Sequence, residues 1–316
     1  MSARDLIDPE SRAALDVLLG IVPGGLNAIA DIGERRAVFA GLVAAAAPPP
    51  RDDVTVDDRT VPGAPGDPDV AVRVYRPVGG TGASPAICFI HGGGMVIGDL
   101  DSEDPEAQRL CAELGAVVVS IGYRLAPEHP YPAQVDDCYA GLRWIAENAA
   151  ELGVDAARLV VYGGSAGGGL AIALALLSRD RGGPAVSFVM APYPMLDDSN
   201  STRSSHEIVD VGFWDRSANL EAWQWYLGGR AADQYAAPAR ATDLDGLPPM
   251  FLDVGTVDLF RDEVITFAQR LLQAQVPCEL QVHPGSFHAS ESVAPDAPLS
   301  QRIEAARMSA LRRALG

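Results

Sequence analysis

The sequence predicts an α/β fold: a mostly parallel sheet of eight strands, helices on both of its faces, and a helical cap. Three observations point there. Short apolar runs alternate with helical patterns over most of the 316 residues. The 32 Gly and 24 Pro fall between those runs as punctuation. Hydrophobic residues make up 48% of the chain, enough for a large core and well outside the disordered range. In such sheets ligands bind beyond the carboxyl ends of the strands, so the residues just after each strand are the ones to inspect.

Residues 8–47, rich in Ala and Leu, read as helical and stop at Pro48–Pro50. The alternating segments Val54–Val61 and Val70–Tyr75 predict antiparallel strands. Ala86–Ile90, Ala116–Ile121, Leu159–Tyr162 and Val186–Met190 are continuous apolar runs, the pattern of strands buried on both faces. Helical patterns at Glu103–Leu114, Ala133–Leu152 and Ala166–Arg179 separate them. Met250–Val254 and Cys278–Val282 add two strands around a helix at Asp262–Gln275, and a last helix runs near Leu299–Leu315. The rhythm breaks between Pro194 and Leu247, where no strand pattern stands but Phe213, Trp214, Trp223, Trp225 and Tyr226 do. That much apolar surface must pack on something. The expected arrangement is a lid over the site, shared with the N-terminal helices, in preference to a helix pair on the sheet face. The chain then divides into N-terminal cap helices (1–50), a core (51–194 and 248–316) and a cap insertion (195–247).

The net charge is −18, from 42 acidic and 24 basic residues, with no Lys/Arg cluster. A nucleic-acid partner is therefore not expected, and the same field repels anionic membranes and polyphosphates. Cys88, Cys111, Cys138 and Cys278 lie far apart without a CxxC pair, so neither a metal site nor a redox motif is expected. Cys88 and Cys278 fall inside strands, where a thiol behaves as a small hydrophobe. The N-terminus has no apolar stretch of signal-peptide type, and no run approaches the roughly 18 apolar residues of a membrane span. A cytoplasmic, cofactor-free protein is the expectation.

Chemistry concentrates at the strand ends. After Leu159–Tyr162 comes Gly163–Gly164–Ser165–Ala166–Gly167, a G-x-S-x-G leading into a helix. Such a turn holds the serine outward, and glycines two residues to either side avoid a clash. The helix N-terminus behind it adds partial positive charge where an oxyanion would form. After Ala86–Ile90 comes His91–Gly92–Gly93–Gly94, whose consecutive glycines allow backbone N–H groups to converge on one point. A phosphate loop would want a following Lys or G-x-G-x-x-G spacing, and neither is present. A nucleophilic serine needs a base. His91 belongs to the glycine loop, His129 to the PEHPYP loop, His206 to the lid, and His283 to the end of the last strand. His288 follows in the loop Pro284–His288 and completes the order Ser…Asp/Glu…His. The acid belongs at the carboxyl end of Met250–Val254, where Asp258 stands in the turn. Asp262 and Glu263 are its rivals, although they open a helix, where acidic residues have an ordinary dipole-complementing role and face solvent or the helix end. Asp253, inside the strand, reads as buried or as a sheet-face residue.

His91–Gly94, Tyr123–Glu128, Gly163–Gly168, Asp258 through Arg261–Glu263, and His288 run in the order and spacing of the hormone-sensitive-lipase family of microbial carboxylesterases, which the sequence resembles from about residue 85 to 290. Within it the chain is most similar to actinobacterial members of heroin-esterase type. The resemblance implies an α/β-hydrolase fold, a Ser165–Asp258–His288 triad, and oxyanion donors from the backbone of Gly93, Gly94 and Ala166. It also implies a cap from the N-terminal helices and residues 195–230, short-chain esters as small-molecule substrates, and a homodimer formed through the last strand. Three positions depart from the family pattern: Gly164 where the elbow usually carries Asp or another polar residue, Leu259 where proline is common, and Ala289 where glycine is common. The expected reaction is acyl transfer through Ser165, without metal or organic cofactor. The rival readings are a binding protein on the same scaffold, and an amidase or lactonase with the same triad.

Overall fold

The computed structural model describes residues 2–49, 51–80 and 82–316, so Pro50, the last residue of the expected helix stop, lies outside the described residues. The chain opens with helices α1 (Pro9–Ile21) and α2 (Ile32–Ala46), then β1 (Val54–Val61), β2 (Val70–Pro77), β3 (Ser84–Ile90), α3 (Asp104–Leu114) and β4 (Val117–Gly122). Helices α4 (Ala133–Glu147) and α5 (Ala149–Leu152), β5 (Val154–Gly163), α6 (Ala166–Arg181) and β6 (Phe188–Pro192) follow. The insertion carries α7 (Arg203–Glu207) and α8 (Arg216–Leu227). The chain ends with β7 (Met250–Val257), α9 (Arg261–Gln273), β8 (Cys278–Phe287), α10 (Ser290–Val293) and α11 (Pro298–Leu315).

The eight strands form one sheet in the order β1-β2-β4-β3-β5-β6-β7-β8. β2 runs antiparallel to both β1 and β4, and every other pairing is parallel. Period-two alternation sends successive side chains to opposite faces. Ile87, Phe89, Val118, Val160, Tyr162 and Met190 pack on one face with α3 and α11, through Leu110, Cys111, Met308 and Leu311. Cys88, Ile90, Val119, Val161, Val189 and Leu252 pack on the other with α4, α6 and α9, through Leu142, Leu170, Leu174, Phe267 and Leu271. Each fully buried Leu, Ile, Val or Phe contributes about 1.5–3 kcal/mol, so the central strands carry most of the core.

Three expectations shift. The N-terminal helical stretch is broken between α1 and α2, because Pro23–Gly24–Gly25 can neither donate nor hold helical backbone there. The helix expected over Ala133–Leu152 is divided at Asn148. Strand β8 runs on to Phe287 where a loop was expected, since its partner β7 also runs on and pairs Val257 with Phe287 across a register shift after Gly255. Pro284 is tolerated because β8 is an edge strand.

Candidate active site

The carboxyl ends of β3, β5, β6, β7 and β8 deliver His91–Gly94, Ser165, Tyr193, Asp258 and His288 to one side of the sheet. Ser165 sits between β5 and α6 at φ 57°, ψ −121°, a backbone region that a residue with a side chain enters only under strain. Its N–H donates to the Pro192 carbonyl at 3.0 Å, and its carbonyl accepts from Met195 N–H at 3.0 Å. The flanking glycines are required by packing: a Cβ on Gly163 would lie 2.4 Å from the Gly167 backbone, and one on Gly167 would lie 2.1 Å from the Ile90 carbonyl oxygen. The parallel pairing of β3 with β5, Ile90 opposite Gly163, brings elbow and glycine loop together.

Ser165, His288 and Asp258 form one hydrogen-bonded relay. The Ser165 hydroxyl donates to His288 Nε2 at 2.9 Å, and His288 Nδ1–H donates to Asp258 Oδ2 at 2.9 Å. Asp258 Oδ1 accepts from Phe260 N–H at 2.9 Å, which fixes the carboxylate plane. Exposures of 7%, 4% and 0% for Ser165, His288 and Asp258 keep the relay out of bulk water. The imidazole is walled by Tyr193 (ring centroids 4.8 Å apart), Phe260 (5.1 Å) and Trp214 (6.2 Å).

The glycine loop lies against the elbow, since a Cβ on Gly92 would stand 3.6 Å from Ser165 Cβ. Tyr123 OH donates to the His91 carbonyl at 3.0 Å, and His91 Nδ1 bonds the Gly92 carbonyl at 2.8 Å. Burial pushes His91 down to about 4, so the ring is neutral and Nδ1 carries the proton. The Gly93 carbonyl accepts from Val96 and Ile97 N–H, both at 3.0 Å. Among the described residues the N–H groups of Gly93, Gly94 and Ala166 have no such internal acceptor.

Of the rival acids, neither reaches His288. Asp262 accepts from Ser204 N–H at 2.7 Å and pairs with Arg261. The expectation that Glu263 faces solvent is corrected: it is buried and accepts from Leu196 N–H at 2.8 Å and Asp197 N–H at 3.3 Å, holding the start of the insertion. Burial, against those two N–H groups, pushes its carboxyl well above the usual range. His129 and His206 are exposed on their loop and helix, and His283 lies 3.6 Å from Asp253 in β8.

Sequence reasoning missed the support beneath the site. Buried Arg307 of α11 bonds Asp253 at 2.7 and 3.1 Å and Glu291 at 2.7 Å, and stacks its guanidinium on the Tyr193 ring at 5.1 Å. Burial works to raise the Asp253 carboxyl, but Arg307 and His283 outweigh it and hold the group below the usual carboxylate range. The signal was Asp253 itself: a carboxylate inside an apolar strand demands a buried partner. No spacing in the sequence names Arg307 as that partner.

A family model described as alpha/beta hydrolase fold matches residues 87–292. The chain belongs to the α/β hydrolases, in their hormone-sensitive-lipase-like branch. This hydrolase is 37% identical to Carboxylesterase NlhH of Mycobacterium tuberculosis over 99% of its own length and 98% of the relative's. It is 32% identical to the Ethyl acetate hydrolase of Pseudomonas putida, covering 69% and 70% of the two chains. A solved structure, Bacterial Heroin Esterase, superposes with a TM-score of 0.92 at 41% identity over 99% of both chains. The hydrolase is a carboxylesterase of the serine-hydrolase class. Among its described residues no helix is long and apolar enough to cross a membrane.

Proposed function

We propose that the enzyme cleaves short-chain carboxylic esters through an acyl-enzyme on Ser165. The observation that carries this reading is the relay with both links at 2.9 Å. His288 takes the Ser165 proton as the hydroxyl attacks the ester carbonyl, then returns it to the leaving alcohol. Asp258 holds the imidazole in the tautomer that leaves Nε2 free to accept. The N–H groups of Gly93, Gly94 and Ala166 take the tetrahedral oxyanion, and water repeats the attack to release the acid. The expected test of the nucleophile is organophosphate labelling: mass spectrometry should find Ser165 modified and no other serine.

The preference for short chains rests on the insertion and on likeness. Trp214 stands so close over the glycine loop that a Cβ on Gly94 would come within 2.3 Å of its indole. Helix α2 and residues 195–247 act as one cap, because Arg35 of α2 pairs with Glu221 of α8 at 2.5 Å and lies 5.4 Å from the Trp225 ring. Likeness to a hydrolase named for ethyl acetate points the same way. With nitrophenyl esters of rising acyl length, rates should fall beyond about eight carbons, as the family likeness and the aromatic-rich insertion lead us to expect. A preference for emulsified long-chain triglyceride overturns it. The outer edge of β8, which pairs with no further strand among the described residues although Asp8 N–H donates to its Gly285 carbonyl at 3.0 Å, is the surface we assign to a homodimer, which light scattering in solution tests. Four free cysteines fit a reducing compartment, the cytoplasm.

A further inference from the structure

We propose that Glu103 is a positioning residue for the glycine loop: its carboxyl takes the Gly92 N–H and thereby leaves the next two amides, of Gly93 and Gly94, facing the reacting carbonyl. This rests on the reading of that loop as the oxyanion site. Gly92 N–H donates to Glu103 Oε1 at 2.7 Å. A Cβ on Gly92 would stand 3.3 Å from that oxygen, 3.3 Å from the Gly164 carbonyl and 3.6 Å from Ser165 Cβ, so the carboxyl reaches the junction of loop and elbow.

Glu103 stands at the N-cap of α3, where an acidic side chain ordinarily bonds its own helix. Here it makes no capping bond and turns to the loop. In the loop the His91 and Gly92 carbonyls are held by Tyr123 and His91, the Gly93 carbonyl by Val96 and Ile97, and Gly92 N–H by Glu103. Among the described residues the Gly93 and Gly94 N–H groups have no internal acceptor, which leaves them for the reaction.

A carboxylate near a developing oxyanion opposes it electrostatically, so a charge-based role is the wrong one for Glu103. Burial pushes its carboxyl up to about 7; the Gly92 N–H pulls the other way, while Glu106 on its own helix and Glu291 on α10 push with burial. The Tyr123 phenol also faces it. The charge is thus muted near neutrality while the acceptor remains. The group serves by geometry.

The test compares Glu103→Ala, Glu103→Met and Glu103→Gln on a nitrophenyl acetate substrate, with Ser165→Ala alongside. Met keeps the volume and loses the acceptor, so it carries the test if Ala does not fold. Losing the acceptor should lower kcat on the order of 10- to 100-fold, less than deletion of an oxyanion donor itself, with KM within about threefold. Binding of a trifluoromethyl ketone, which forms an oxyanion on the serine, should weaken by the same factor. Gln keeps an acceptor and should recover most of both. Ala or Met with undiminished kcat, or Gln as impaired as Met, overturns the inference while an inactive Ser165→Ala leaves the reading of the site standing. An active Ser165→Ala overturns that reading first.

Discussion

The Tyr193 hydroxyl donates to Glu291 at 2.5 Å while the ring presents its edge to His288 at 4.8 Å. Tyr193 follows β6 at φ 34°, a backbone that L side chains adopt at a cost, so the ring is held there by its partners. A hydrogen bond from a hydroxyl to a carboxylate is worth about 1.5–3 kcal/mol. Tyr193→Phe should lower stability by about that amount in urea melts. Its kcat should fall several-fold with KM little changed, because the wall against the imidazole loosens. Unchanged stability sinks the claim that Glu291 holds the ring.

The acid assignment separates by activity. Asp258→Asn should give a folded enzyme with kcat down by about 10⁴-fold, the scale on which a wrong histidine tautomer acts. Asp262→Asn loses a backbone acceptor and an ion pair, neither of them made to Ser165, His288 or the Asp258 carboxylate, and should keep most activity. If Asp262→Asn were the inactive variant and Asp258→Asn the active one, Asp262 would take the role.

Glu263 makes a prediction in pH. Its folded carboxyl lies well above the ordinary 4.5, so the folded state binds more protons than the unfolded between those values. Its contribution to stability is therefore whole below 4.5 and declines as pH rises toward the folded value. Glu263→Gln keeps an acceptor for Leu196 and Asp197 N–H without any charge to bury. Urea midpoints of the variant and parent should agree at pH 4.5 and diverge toward pH 8, with the variant the more stable. A constant difference across that range counts against buried charge as the cause.

Ala289 stands at φ 54°, ψ 34°, the left-handed region, immediately after His288. An L side chain there costs roughly 1–2 kcal/mol, partly offset by the lower chain entropy of alanine relative to glycine. Ala289→Gly should raise the melting temperature by about 1 °C, corresponding to about 0.5–1 kcal/mol. A fall in melting temperature shows that the methyl packs usefully.

The fold was legible because burial is written in period. Strands such as Ala86–Ile90 are apolar throughout, and the helices between them identify the crossovers. The candidate site residues could be proposed from the sequence because each follows a strand and chain order constrains the roles we assign, which set His288 apart from four other histidines. The rest depends on tertiary pairings without local sign. Nothing near Glu263 shows that it turns inward to the Leu196 backbone, and nothing near Arg307 names Asp253 and Glu291 as its partners. The course of β8 was obscured by Pro284 and Gly285, which end strands in most settings but are admitted at a sheet edge.

Arg36 of α2 donates to the Val96 carbonyl at 2.8 Å, to the Ala126 carbonyl at 2.8 Å, and with both terminal nitrogens to Glu128 at 2.8 Å. Val96 is itself the residue whose N–H closes the turn after Gly93. The opening helices are therefore not an interchangeable module. A chimera that exchanged them for another lid would also have to supply an arginine in register with two carbonyls of the core. A truncated enzyme starting after α2 would leave those carbonyls, and the turn beside them, to find other donors. Recombination breakpoints that respect the linker near residue 50 would still cut through this contact.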